Sequence, residues 1–328
     1  MTDLVVERSG AGAADQLESF RHELTGYCYR MLGSAFEAED AVQDTMVRAW
    51  RAIDRFEGRS SLRSWVYRIA TNVCFDALDG RQRRARPMDL GPASSASAPH
   101  GGILPEATWV TPIPDEQVLA ASDPAERAVE RDSIRLAFIA ALQHLPPRQR
   151  AVLILREVLA WPAAEVASLL DTSVASVNSA LQRARATIAE RDPSENETSS
   201  DLSDEDRELL ERYLDAFERY DMVALTALIK EDATQSMPPY ELWLSGRDDI
   251  LTWWAGPGIE CKGSRLVRTR ANGMPAFAQY RPSGPGGAFE PWSLQVLRVQ
   301  GGKVVEFTMF LDTEHVFPLF GIPMTVVD

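Results

Sequence analysis

The sequence predicts a multidomain chain: two all-α modules, a helical bundle and a helix-turn-helix, followed by an α+β domain. Three observations carry this. Residues 17–86 and 123–191 repeat apolar side chains every three or four positions, the period of helices packed on one face. Residues 89–122 and 192–203 have no such period and are rich in Pro, Gly, Ala, Ser or acids, the composition of linkers. Past residue 204 helical spacing gives way to paired extended runs around Asn272-Gly273 and Gln300-Gly301-Gly302, which read as hairpins. The domains expected are therefore 1–88, 123–191 and 204–328, joined by the two linkers.

Composition narrows the class. A chain of 328 residues with 45% hydrophobic content is expected to fold as two or three domains. No apolar run approaches the roughly 20 residues that span a bilayer, so no membrane partner is expected. The N-terminus lacks the basic and apolar regions of a signal peptide. Cys28, Cys74 and Cys261 are scattered outside any CxxC spacing, which implies a reducing compartment and no zinc; a cytoplasmic protein without metal or cofactor is the expectation. The net charge of −14 is unevenly spread. Residues 131–191 hold eight arginines against five acids, whereas residues 192–328 hold 12 Lys/Arg against 23 acids. Residues 89–130 add one arginine against seven acids, so the acidity falls on the middle and the C-terminal third and leaves the helical modules free to meet a polyanion.

Leu17, Phe20, Leu24, Cys28 and Met31 mark the first helix. Ser34 and Glu37 form a capping box that opens the second, with Val42, Met46, Ala49, Trp50 and Ile53 on its buried side. On its outer side Asp40, Gln43 and Asp44 make one acidic patch, either a solvated face or a docking site for a basic partner. The third helix has Leu62, Trp65, Val66, Ile69, Val73, Ala77 and Leu78 along its core stripe, Ser60 placed as its cap and Gly80 as its stop. Its other face carries Arg63, Arg68 and Asn72, and a basic cluster follows at Arg81, Arg83, Arg84 and Arg86. A polar stripe with a basic tail is suited to gripping a phosphate backbone.

The linker after it contains Trp109 and Ile113, unusual in a plain spacer, which suggests that it docks. Asp123-Pro124 starts a helix with Val129, Ile134, Phe138, Ala141 and Leu142 towards a core, ending at Pro146-Pro147. Residues 148–160 form a second helix and 163–171 a short third. Ser173 then caps a longer helix whose buried side is Val174, Val177, Leu181 and Ala184. Ser176, Asn178, Ser179, Gln182, Arg183 and Arg185 point outwards, the arrangement of a helix-turn-helix whose second helix enters a major groove. In the last domain Leu209, Leu210, Tyr213, Phe217 and Tyr220 mark a helix, Asp221 caps a short one, and Ser245 with Asp248 caps another. Four strands follow, at residues 266–271, 274–280, 291–299 and 303–311.

The blocks EAEDAVQDTMVRAWRAIDRFEGRSSLRSWVYRIATN and LPPRQRAVLILREVLAWPAAEVASLLDTSVASVNSALQRARATI, in this order around a linker, resemble the extracytoplasmic-function sigma factors of bacterial RNA polymerase. MPPYELWLSGRDDI, the Asn-Gly hairpin and FLDTEHVFPLFGIP make residues 205–320 similar to a SnoaL-like, polyketide-cyclase-type domain, a cone of curved sheet and helices around a pocket. The resemblance implies that Asp40, Gln43 and Asp44 dock on the β′ clamp helices of core polymerase. It implies that the −10 promoter element is read by Arg59, Ser60, Arg63 and Asn72, with Arg81, Arg83 and Arg84 as the basic tail and Trp65 either core or strand-separating wedge. The helix-turn-helix residues Ser176, Asn178, Ser179, Gln182, Arg183 and Arg185 are assigned to the −35 element. Asn178 and Ala180 stand where the family often has basic residues, so phosphate anchoring falls to Arg183 and Arg185.

For the C-terminal domain the resemblance implies a regulatory role, with the Trp109-bearing linker as a contact and a small-molecule pocket lined by Tyr240, Trp243, Trp254, Phe277 and Trp292. Cyclases of this fold use an acid–base side chain in the pocket. Asp232, Asp312 and His315 qualify by type but form no recognisable dyad, so no catalytic residue is assigned. The leading expectation is a non-enzymatic, promoter-specific transcription initiation factor. Its competitors are a cyclase or isomerase fused to a DNA-binding module and a one-component repressor.

Overall fold

The structure is a computed structural model in which residues 15–98, 101–119, 124–191 and 202–326 are described. Residues 192–201 of the second linker and the Asp123 cap lie outside them. The chain separates into two compact units, Met1–Arg83 with Glu116–Thr198, and Arg84–Asp115 with Ser199–Asp328. The first linker is thus divided differently from expectation: most of it belongs to the unit that contains the C-terminal domain.

In the first unit α1 (Arg21–Leu32), α2 (Ala35–Ala52) and α3 (Leu62–Leu78) form a bundle. Gly33, at φ 72°, ends α1, and Ser34 caps α2 by accepting from the Glu37 amide. The α3 cap is Ser61, not Ser60: Ser61 has extended backbone and its Oγ accepts from the Ser64 amide at 3.1 Å, while Ser60 donates to the Ser61 carbonyl. Leu24, Tyr27, Cys28, Met31, Val42, Ala49, Val66 and Val73 are buried between the three helices. Trp50, expected on the same side, is 63% exposed. Val42 and Ala49 are seven positions apart and share a stripe; Trp50 is one residue, about 100°, further round.

The second bundle comprises α4 (Pro124–Asp132), α5 (Leu136–Leu142), α6 (Pro147–Leu153), α7 (Ala163–Leu169) and α8 (Val174–Arg191), with a π-helical turn at Ile154–Val158. One helix was expected from Pro124 to the Pro146-Pro147 stop, but Arg135 has extended backbone and divides it, which leaves Val129 exposed on α4 while Ile134 and Leu142 are buried. Ser173 caps α8, accepting from the Ser176 amide at 3.1 Å. Val177, Leu181, Ala184 and Ile188 form the buried stripe of α8; Val174, expected among them, sits in the open first turn and is 42% exposed. The two bundles pack directly, α3 against α7 and α1 against α5 and α6.

The second unit opens its C-terminal domain with α9 (Asp204–Glu218), capped by a Ser203–Asp206 box, and α10 (Met222–Leu228), capped by Asp221. The sheet comprises β1 (Ile229–Ser236), β2 (Trp243–Ser245), β3 (Arg265–Ala271), β4 (Met274–Arg281), β5 (Glu290–Gln300) and β6 (Lys303–Phe310), in the order β2-β1-β6-β5-β4-β3. It is mixed, since β1 runs parallel to β6 and all other pairs are antiparallel. α11 (Arg247–Ala255) and α12 (Thr313–Leu319) complete an α+β domain. The sequence offered no sign of β1, whose IKEDATQS is too polar to alternate, or of the three-residue β2. Ser245 pairs with Thr234 in β2, so Gly246 takes the cap position of α11. Asn272 (φ 56°) and Gly273 (φ 73°) make the expected tight turn between β3 and β4. Tyr213, Phe217, Trp254, Phe277 and Phe307 meet in the core beneath the sheet.

Candidate nucleic-acid interface

On α2, Asp40 and Gln43 are exposed and Asp44 is paired with Arg48 at 2.7 Å; Arg48 also reaches Asp76 at 3.3 Å. The acidic face therefore survives folding with two of its three polar groups directed to solvent.

The residues expected to read DNA on and around α3 divide into groups. Arg59 is exposed beside Glu57 in the loop before the helix, and Asn72 is exposed on the helix itself. Trp65 is half-buried with its ring 5.3 Å from that of Phe56, so it anchors the loop to the helix. Arg63 donates to Glu23 at 2.7 Å and lies over the rings of Tyr67 and Trp161, at 5.4 and 5.1 Å. The Tyr67 ring packs at a tilt of 54° against that of Trp161, 4.9 Å away, and Arg68 donates to the Ser168 carbonyl at 2.8 Å. Burial pushes the Tyr67 hydroxyl far above the usual phenol range, which keeps it a neutral donor to Glu23. Part of the polar face of α3 is thus covered by the second bundle. Arg81 pairs with Glu37 and Arg83 lies 3.1 Å from His144 Nδ1.

Deeper in the same seam two arginines are buried. Arg30 donates to the Ser133 hydroxyl at 2.7 Å, and Arg150 to the Met31 carbonyl, the Gln143 side chain at 2.7 Å and the Leu145 carbonyl at 3.1 Å. Burial pulls both guanidinium pKa values down to about 10. On α8 all six expected base-edge and phosphate residues, Ser176, Asn178, Ser179, Gln182, Arg183 and Arg185, are exposed; Arg185 is paired with Glu157 at 2.5 Å.

Arg84 requires a correction. Expected in the DNA-facing tail, it is 5% exposed and donates to the Glu106 carboxylate at 3.0 Å and the Trp109 carbonyl at 2.6 Å. The chain has entered the second unit by this point. There residues 84–115 lie along the C-terminal domain. The Ala85 amide donates to the Thr108 carbonyl at 2.8 Å and the Ala85 carbonyl accepts from the Val110 amide at 3.1 Å, a strand-like pairing around Trp109, and the Leu104 amide donates to the Pro239 carbonyl at 3.0 Å. The Ile113 amide donates to Asn272 Oδ1 at 3.0 Å, and its carbonyl accepts from the Asn272 amide at 3.1 Å. Asp115 receives Arg270 at 2.9 Å and the Gly273 amide at 2.7 Å. Trp109 and Ile113 are buried, as their presence in a spacer suggested.

The expected pocket is likewise redrawn. A cavity of about 20 Å³, room for roughly one water, is lined by Trp254 and Trp292 together with Tyr220, Gln235, Cys261 and Gln279. Trp243 faces the linker instead, donating to the Gly91 carbonyl at 2.9 Å, and Tyr240 bridges to Ile103. Phe277 belongs to the core. Sequence reasoning weighted aromatics and so missed the polar wall. Trp254 Nε1 donates to Gln235 at 2.7 Å, and Tyr213, Gln295, Gln279 and Ser264 form a buried hydrogen-bonded chain. Neither carboxylate nor imidazole lines the cavity. Asp312 and His315 pair with each other at 2.8 Å on the surface, which raises the His315 pKa, and Asp232 pairs with Lys230. Among the described residues no group of His, Cys, Asp and Glu is arranged to hold a metal ion, and no helix is long and apolar enough to cross a membrane.

Comparison with known proteins finds three families along the chain: sigma-70 region 2 over residues 17–84, sigma-70 region 4 over 135–188 and a SnoaL-like domain over 210–307. The chain is 44% identical to the ECF RNA polymerase sigma factor SigG of Mycobacterium tuberculosis, across 98% of this chain and 88% of that one. It is 30% identical to the RNA polymerase sigma-H factor of Pseudomonas aeruginosa, across 56% of this chain and 88% of that protein. The crystal structure of the Mycobacterium tuberculosis extracytoplasmic function sigma factor SigJ shares the fold, with a TM-score of 0.59 at 21% identity, covering 95% of this chain and 99% of that one.

Proposed function

Because the chain belongs to the extracytoplasmic-function RNA polymerase sigma factors, we propose how its surfaces divide the work of promoter-specific initiation. The α2 face of Asp40, Gln43 and Asp44 docks on the β′ clamp helices of core polymerase. Arg59, Ser60, Arg63, Trp65, Asn72, Arg81 and Arg83 engage the −10 element; Arg84 is withdrawn from that set. The outward face of α8 reads the −35 element, Ser176, Asn178, Ser179 and Gln182 offering hydrogen bonds to base edges and Arg183 and Arg185 holding phosphates. The exposure of Asp40 and Gln43 on α2, Asn72 on α3 and all six named residues on α8, in a chain of this family, is the observation that carries the reading.

The closed seam of the first unit bears on how this is used. Elements about 25 base pairs apart are separated by on the order of 80 Å of duplex, whereas α3 and α7 touch. The two bundles therefore part when both elements are bound. The C-terminal domain regulates this step by holding residues 84–115, the segment that joins the bundles in sequence. A cyclase reading has less support: the carboxylate or imidazole that most often serves general acid–base catalysis is missing from the cavity lining.

The docking assignment is tested by Asp40→Lys with Asp44→Lys in the full chain. Core binding at about 0.1 M salt should weaken at least tenfold, with run-off transcription from a cognate promoter falling in parallel. Wild-type affinity in the double variant would remove the assignment.

A further inference from the structure

Cys28 lies on α1 and Cys74 on α3, and these helices pack on each other with both thiols fully buried and free of any disulfide. The residues beside them fix their approach. The Tyr27 hydroxyl meets Thr71 Oγ1 at 2.8 Å, and Thr71 gives its own proton to the Tyr67 carbonyl at 2.7 Å, so Tyr27 is the donor. Cys28 is the next residue along α1, and Cys74 is one turn from Thr71 on the same face of α3. The Cys74 thiol is accordingly hydrogen-bonded to that of Cys28. Arg150 of α6 lies nearby: it donates to the carbonyl of Met31, one turn after Cys28, and its charge acts on Cys74. Neither thiol belongs to the surfaces assigned to polymerase or DNA.

We propose that Cys28 and Cys74 are an oxidisable dithiol, converted by hydrogen peroxide to a disulfide that clamps α1 to α3 and lowers promoter opening. The effect on opening rests on reading α3 as the −10 helix; the oxidation does not. In a reducing compartment such a pair is reduced at rest and responds to oxidant. One thiolate attacks a peroxide oxygen, the O–O bond breaks and hydroxide leaves as water, which gives a sulfenic acid. The second thiolate attacks that sulfur, and its S–OH bond breaks to release another water. The two thiols lose two electrons, one peroxide becomes two waters, and both thiol protons end on them. The hydrogen bond to Cys28, together with burial, pushes the Cys74 thiol well above its usual range, while the Arg150 charge favours the thiolate. The packed pair is therefore slow to react, and oxidation proceeds from brief local openings. A disulfide holds its sulfurs at about 2.05 Å, closer than two thiols in hydrogen-bond contact, so its formation shifts α3 against α1. Asn72, two residues before Cys74 and exposed, moves with that turn.

The test exposes the full chain to sub-millimolar hydrogen peroxide, blocks remaining thiols by alkylation and digests it. The Cys28 and Cys74 peptides should be recovered joined, from monomeric protein, and should separate on treatment with dithiothreitol. At saturating core polymerase, open-complex formation on a cognate promoter should fall by about tenfold or more on oxidation and return on reduction, as misplacement of a reading group requires. Cys28→Ala and Cys74→Ala should each keep, under peroxide, the opening they show when reduced, whereas Cys261→Ala should respond as wild type does. The crosslink is read on the unaltered chain, so a variant that fails to fold leaves the test intact. Separate Cys28 and Cys74 peptides after peroxide overturn the proposal, as do crosslinks that run only through Cys261 or between two chains. A Cys28–Cys74 disulfide that leaves opening unchanged also overturns it, while the −10 role of Asn72 is decided separately, on its alanine variant in reduced protein.

Discussion

Arg81, Arg83 and Arg84 are near neighbours, yet the chain leaves the helical unit between Arg83 and Arg84 and the chemistry changes there. Arg81 and Arg83 remain on the surface near Glu37 and His144, while Arg84 is buried against Glu106 and the Trp109 carbonyl. Composition marked a basic cluster and could not distinguish a DNA-facing arginine from a structural one, because the distinction lies in which carboxylate 22 residues later folds back onto it. Asn272 is the counterpart on the other side of the linker. Its left-handed backbone was legible as a hairpin signal; its second use, accepting the Ile113 amide from 159 residues away, was not. Replacing it with glycine keeps the turn and removes the acceptor for the Ile113 amide. In Asn272→Gly the Ile113 amide should lose protection from hydrogen exchange by about tenfold or more, the cost of leaving a buried donor unpaired, with the β3–β4 amides little changed. Equal protection would show that the linker is held without this bond.

For α3 the apolar stripe, the stop near Gly80 and the polar face were all readable from spacing, and the cap was misplaced by one residue. What covers the polar face was not readable. Trp161 lies just after the π-helical turn that follows α6 and gave no periodic signal, yet it is buried, with its ring tilted against that of Tyr67 and beneath Arg63. Asn72 is four residues from Arg68 and remains exposed, so it can meet an unstacked base without first losing a partner of its own. Asn72→Ala should lower open-complex formation on a cognate promoter by tenfold or more, with core affinity and thermal midpoint unchanged. A lowered midpoint would instead assign Asn72 a structural role. The recognition helix α8 was the most legible of the elements, because a capped helix with one buried stripe specifies its outward residues by geometry alone.

The first unit as a whole is closed by a seam that contains two buried guanidinium groups, Arg30 and Arg150, bound to hydroxyl, amide and carbonyl oxygens. Desolvating such groups offsets much of what their hydrogen bonds contribute, so the seam is one that a larger interface can open. With fluorophores on Arg55→Cys and Glu190→Cys, one in each bundle, energy transfer should fall when core polymerase and promoter are both present. Transfer that stays constant would refute opening. The order of modules, the helix faces, the hairpins and the family all follow from local pattern, because helix and hairpin periodicities are short-range and repeat along the chain. The destination of the linker, the loss of Arg84 from the DNA-facing set, the exposure of Trp50 and the small, polar-walled cavity are settled by tertiary packing. Each depends on which of several equally apolar or equally charged neighbours, tens to hundreds of residues away, comes to lie against the residue.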